Sequence, residues 1–156
     1  MKNQKCWLFC LCYLFVFPIF AQSNPSSKLY HSLLRFKETK RILFVAAHPD
    51  DENTRLIAYL ANAEHAEVAY LSLTRGDGGQ NLIGNEQAEL LGLIRTQELL
   101  AARRTDGAEQ FFTRANDFGF SKNPDETLKI WDKDKVLADV VWTIRKFQPD
   151  VIINRF

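Results

Sequence analysis

The feature that most restricts this chain is the run Arg41-Ile-Leu-Phe-Val-Ala-Ala-His-Pro-Asp-Asp-Glu52. Ile42, Leu43, Phe44 and Val45 are apolar and favour extended backbone, and the run narrows to the small Ala46 and Ala47. A short apolar stretch without polar alternation predicts a strand buried on both faces, as in a parallel sheet. It stops abruptly at His48, Pro49, Asp50, Asp51 and Glu52, and Arg55–Ala63 follows with a helical pattern. Proline near a helix start with acidic neighbours is an initiation signal. One imidazole and three carboxylates are therefore expected at the carboxyl end of a strand, where open α/β sheets hold their ligands.

The rest of the chain repeats that alternation. Glu67–Thr74 predicts a second strand, parallel to the first through a right-handed crossover. The glycine-rich Arg75–Gly84 follows as a loop, then a long amphipathic helix over Glu86–Arg104 with Leu90, Leu93, Ile94, Leu99 and Leu100. Ala108–Thr113 predicts a third strand and Arg114–Pro124 a polar loop. A helix capped by Asp125 or Asp132 carries Val136, Leu137, Val140, Val141 and Ile144, and Pro149–Asn154 supplies a fourth strand. This order predicts an α/β class, a Rossmann-like three-layer fold with a mostly parallel sheet. The last strand ends against the final residue, so the fold is expected to be incomplete at its C-terminal end and the chain a fragment.

At the N-terminus Lys2 and Lys5 precede the apolar run Cys6–Phe20, and Ala21 is a cleavage position. That layout predicts a signal peptide over 1–21 and a secreted or periplasmic protein. The bulky Ile19 keeps a membrane anchor through residues 6–20 open as the alternative. All three cysteines lie in this segment, so the mature chain would hold neither disulfide nor thiolate metal site. Residues 22–40 are expected to be a linker and a short edge helix on Leu29, Leu33, Leu34 and Phe36, with His31 exposed. The net charge of +1, with both signs interspersed, excludes a nucleic-acid footprint.

His48 and Asp51 stand three apart, so a helical turn would bring both to one side. Imidazole plus carboxylate is a normal donor pair for catalytic zinc, which takes three protein ligands and keeps one position open. Asp50 between them is placed to take a proton from water. The alternative is structural: Asp50 or Asp51 as an N-cap and His48 bonded to backbone. Neither His31 nor His65 is placed as a third ligand. Arg75 and Asp77, above the second strand, are expected at the same sheet edge, with Arg75 either holding substrate or paired on the surface. Gly76, Gly78 and Gly79 are expected to serve positive-φ backbone geometry rather than a phosphate cradle. Arg95 and Glu98 are expected as an i, i+3 pair. Asn116, Asp117, Phe118 and Phe120 form a loop that could stack on a sugar, with core packing of the two phenylalanines the preferred reading.

Ala47-His-Pro-Asp-Asp-Glu52 after an apolar strand resembles the signature of the PIG-L (LmbE-like) zinc-dependent de-N-acetylases. Leu73–Gly79 and Leu91–Leu99 are similar in kind, and the resemblance runs from about Arg41 to Phe156. It implies a deacetylase domain over 41–156 with His48 and Asp51 as zinc ligands and Asp50 as general base. It also tips Arg95 toward the substrate pocket, and it implies a third ligand, a histidine, beyond residue 156. The expected substrate is a small molecule or glycoconjugate with an N-acetylglucosamine-type sugar, and the chain alone is expected to be inactive. Three rivals stay open: a magnesium-dependent phosphohydrolase using Asp50 and Asp51, disfavoured by the histidine, a non-catalytic glycan-binding module, and a nucleotide-binding α/β domain.

Overall fold

The structure is a computed structural model, and residues 24–155 are described. The expected signal segment lies outside them. By compactness the chain divides after His31, and the unit from Ser32 onward carries the sheet. Helix α1 (Pro25–Lys37) bridges that boundary in sequence. It forms as expected; no residue of the helix is fully buried, Leu34 is half-buried, and Leu33 and Phe36 are exposed. Its C-terminal Arg35 donates to the carbonyl of Ala61 at 3.2 Å.

Four strands, β1 (Arg41–Ala46), β2 (Glu67–Ser72), β3 (Glu109–Phe112) and β4 (Val151–Asn154), form one sheet in the order β3-β2-β1-β4. Every pairing is parallel, with Leu43 opposite Ala69 on one side and Ile152 on the other. The connecting helices are α2 (Thr54–Asn62), α3 (Glu89–Asp106), α4 (Pro124–Trp131) and α5 (Lys133–Phe147).

The two-residue period of a strand sorts the core into two layers. Ile42, Phe44, Ala46, Val68 and Tyr70 pack with Ile57 and Ala61 of α2 and Leu99 of α3. Leu43, Ala69 and Leu71 face the other way, onto Phe111 and Phe147, with Val140 and Ile144 of α5 against them. Because β1 and β2 are covered on both faces, they lack polar alternation. The result is the helix–sheet–helix sandwich expected from the sequence.

Local details depart from expectation where side chains compete for caps. Helix α2 is capped by Asn53, whose Oδ1 accepts from Leu56 N at 3.1 Å, so the helix does not start at Pro49. Between Gly119 and β4 there are two helices. Asn123 caps α4, accepting from Asp125 N, and Asp132 at φ 59° breaks the chain before α5. The sheet order reverses direction at β1: β2 and β3 build outward on one side and β4 on the other. Such a reversal opens a crevice at the strands' carboxyl ends, and β1 leads there into His48.

Candidate active site

The strand ladder reaches past β1 before the chain turns. Leu73 N donates to Ala46 O and Thr74 N to Ala47 O, both at 2.9 Å, while Thr74 Oγ1 donates to the same Ala47 carbonyl. Ala47 is thus held on two bonds, and the chain leaves it in a fixed direction. His48–Asp51 then close a reverse turn: Asp51 N donates to His48 O at 3.4 Å, and Asp51 Oδ2 accepts from His48 N at 2.9 Å. The tight turn, not a helical one, brings the two side chains together, a correction to the expected cause and not to the outcome. The Asp51 carboxylate caps this turn while α2 is capped by Asn53.

His48 Nδ1 lies 3.3 Å from Asp51 Oδ2. Two donors on one tetrahedral zinc, at bond lengths of about 2.0–2.2 Å, would stand about 3.4 Å apart. The pair therefore fits two corners of such a site in spacing and donor type. Among the described residues no group of three His, Cys, Asp or Glu side chains is arranged to hold a metal ion. The opposite ring nitrogen, Nε2, faces Asp117 Oδ1 at 3.6 Å, and the Asp117 side chain is only 6 % exposed.

Asp50 differs from its neighbours in being open to solvent, its side chain 72 % exposed, with Arg95 Nη2 at 3.3 Å from Oδ2. Arg95 also keeps Glu98 within 3.6 Å, so the i, i+3 pair exists and the same guanidinium reaches the turn. His48, Pro49, Asp50, Arg95 and Asp117 line one cavity of about 510 Å³, rimmed by Gly76, Gly78, Leu82 and Phe120. The space is large enough for a small-molecule ligand.

Arg75 goes elsewhere. Its guanidinium lies 4.4 Å from the centre of the Phe112 ring and donates to Thr96 Oγ1 at 3.2 Å. It lines a separate cavity of about 330 Å³ with Asp77, Gly92 and Thr113. Asp77 turns its carboxylate to the backbone of Asp117, accepting from Asp117 N at 3.3 Å. Of the three loop glycines only Gly76 has positive φ, at 72°. Gly78 is required by close approach instead: a Cβ there would stand 2.6 Å from the Asp117 carbonyl oxygen. His65 sits half-buried in its turn at φ 57°, and His31 is exposed on α1. Phe120 is exposed on the cavity rim, contrary to the preferred core reading, whereas Phe118 meets Trp131 edge-on at 6.2 Å.

Sequence reasoning missed Tyr70 and Arg103 behind the turn, and it expected Glu52 beside Asp50 and Asp51 at the strand end, where the structure buries it instead. Tyr70, buried in β2, donates its hydroxyl to the carbonyl of His48. Glu52 and Arg103 are buried with side chains 5 % and 3 % exposed, and Arg103 Nη2 is 3.4 Å from Glu52 Oε1. Burial pushes the Glu52 carboxyl up, against the opposing pull of Arg103. It also pushes the Tyr70 hydroxyl up, helped by the Glu52 charge, so the phenol stays a donor. The available signals were a tyrosine inside an otherwise apolar strand and an Arg–Asp pair at i, i+3 on the packed side of α3.

The model for PIG-L, GlcNAc-PI de-N-acetylase, matches residues 43–155. The chain belongs to the PIG-L family. A relative in Geodermatophilus obscurus, 1D-myo-inositol 2-acetamido-2-deoxy-α-D-glucopyranoside deacetylase, is 35% identical over 133 residues, covering 74% of this chain and 45% of its own. Two solved structures share this chain's fold. N,N'-diacetylchitobiose deacetylase from Pyrococcus horikoshii superposes with a TM-score of 0.56 at 22% identity, covering 85% of this chain and 51% of the other. GalB, the 4-carboxy-2-hydroxymuconate hydratase of Pseudomonas putida KT2440, gives 0.53 at 24% identity over 73% and 46%. The chain spans about half the length of these proteins. Because a deacetylase and a hydratase share the architecture, the fold alone does not choose a reaction.

Proposed function

We propose that the complete protein is a zinc-dependent hydrolase that removes the acetyl group from an N-acetylglucosamine-type sugar or conjugate. The observation that carries this reading is the pairing of His48 Nδ1 and Asp51 Oδ2 at 3.3 Å beside a solvent-open Asp50, in a chain of the PIG-L family. His48 and Asp51 would hold the ion, with a further ligand from outside the described residues. The chemistry supplied by such an ion is that of a Lewis acid, which polarises an amide carbonyl and acidifies water. Asp50, a solvent-open residue lining the cavity, accepts the proton of the attacking water and returns it to the departing amine nitrogen. Arg95 keeps that carboxylate in place from the side and is the first candidate to meet a substrate hydroxyl. Arg75 is retained as a contact only for a conjugate long enough to reach the neighbouring cavity. The leader over residues 1–21 supports export, with the deacetylase domain beginning at Arg41.

The test is substitution in the complete protein. Asp50→Ala is expected to abolish acetate release while bound zinc stays near one per chain, and His48→Ala to lose both. Near-parental turnover by Asp50→Ala would remove Asp50 as the base.

A further inference from the structure

Behind the turn lies a chain of buried polar contacts that no step of the chemistry uses. Arg103, in the last turn of α3, is its hub. Its guanidinium donates to Asp106 through Nη2 at 2.6 Å and through Nε at 2.9 Å and 3.2 Å, to Gln110 Oε1 at 3.3 Å and to Glu52 Oε1 at 3.4 Å. It also lies 5.6 Å from the centre of the Tyr70 ring. Gln110 Nε2 donates to the Tyr70 carbonyl at 3.2 Å, and the Tyr70 hydroxyl closes the chain on the carbonyl of His48.

This arrangement costs stability. Glu52 Oε2 is buried without a hydrogen bond, and an unsatisfied buried carboxylate oxygen carries a desolvation penalty. An apolar residue would fill the place at lower cost. What Glu52 gains is position: it follows Asp51 directly, and its anchor fixes the outgoing side of the turn while Tyr70 fixes the incoming side at His48. We propose that Glu52, Arg103 and Tyr70 are positioning residues for the zinc site, holding the two ends of the His48–Asp51 turn so that imidazole and carboxylate converge before the metal arrives. The inference rests on the zinc reading above. Ligand-orienting contacts of this kind alter metal affinity by about 10–100-fold when removed.

The test uses Tyr70→Phe and Glu52→Gln in the complete protein, both close in shape to the parent. Zinc affinity is measured by competition with a chromogenic chelator, and metal-free melting is followed in parallel. Both variants are expected to fold and to bind zinc about tenfold or more weakly. Folded variants with parental zinc affinity overturn the inference. Arg103→Met is the third arm, and if it fails to fold the first two still decide. His48→Ala separates the two levels: parental zinc binding by that variant overturns the metal reading itself. Loss of zinc there, with Tyr70→Phe and Glu52→Gln unaffected, overturns only the positioning role.

Discussion

Gly78→Ala tests how the rim of the cavity is assembled. A methyl group at Gly78 would stand 2.6 Å from the Asp117 carbonyl oxygen, 2.7 Å from its carbon and 2.9 Å from Gly119 N. All three neighbours are backbone, so no side chain can swing aside. A carbon–oxygen contact relaxes to about 3.3 Å, so the two loops must part by about 0.7 Å. Overpacking of that order costs about 1–3 kcal/mol. At about 2–4 °C per kcal/mol for a domain of this size, the melting temperature should fall by roughly 2–12 °C. Trp131 reports on the same region, since its indole donates to the Asn116 carbonyl at 2.8 Å, next to Asp117. Urea unfolding of the complete protein followed by tryptophan fluorescence therefore reads both stability and local displacement. Gly119→Ala is the comparison: φ is 85° there but nothing lies within 4 Å, so only left-handed backbone strain of about 1 kcal/mol applies. Steric reasoning is refuted if Gly78→Ala stays within about 0.5 kcal/mol of the parent, or if Gly119→Ala costs more.

Arg103→Met should destabilise the fold by about 3–5 kcal/mol, because it strands the buried Glu52 and Asp106 carboxylates without their cation; a loss below about 1 kcal/mol in urea titration would contradict the pairing. Asp139 accepts two bonds from the Arg114 guanidinium at 2.8 Å each, and this pairing holds its carboxyl below the usual range. Its contribution is therefore present above the unfolded carboxyl pKa of about 3.9 and is lost as pH falls through the lower folded value. For so exposed a pair Asp139→Asn should cost only about 0.5–1 kcal/mol at pH 7 and nothing once both states are protonated. A difference that does not shrink with falling pH would contradict this assignment.

The elements of the sheet were legible because β1 and β2 are covered on both faces and so carry unbroken apolar runs. The meeting of His48 with Asp51 was legible from spacing, but its cause was not: a three-residue interval suits a helical turn and a reverse turn equally, and the choice is made by Asn53 taking the cap of α2. The break at Asp132 was hidden because nothing local in Trp131-Asp-Lys133 demands a left-handed residue. Gly78 resembled its neighbours in sequence, yet its requirement comes from a loop forty residues away. Arg75 and Arg95 looked alike as candidates; Phe112 and Thr96 draw one into a neighbouring cavity, and Asp50 draws the other to the turn. Long-range partners decide these cases, and single-sequence patterns do not carry them.

The site follows from topology more than from any one residue. Strand order reverses at β1, so the chain leaving β1 must enter the crevice between the two halves of the sheet. A turn entering an open crevice would be mobile unless tied from outside it. Helix α3 does this at two points: Arg95 reaches the exposed Asp50, and Arg103 reaches the buried Glu52. The two arginines lie eight residues apart, about 12 Å along the axis, so one rigid element grips the turn from its solvent side and its core side. A sideways shift of α3 would then move its contacts to Asp50 and to Glu52 together.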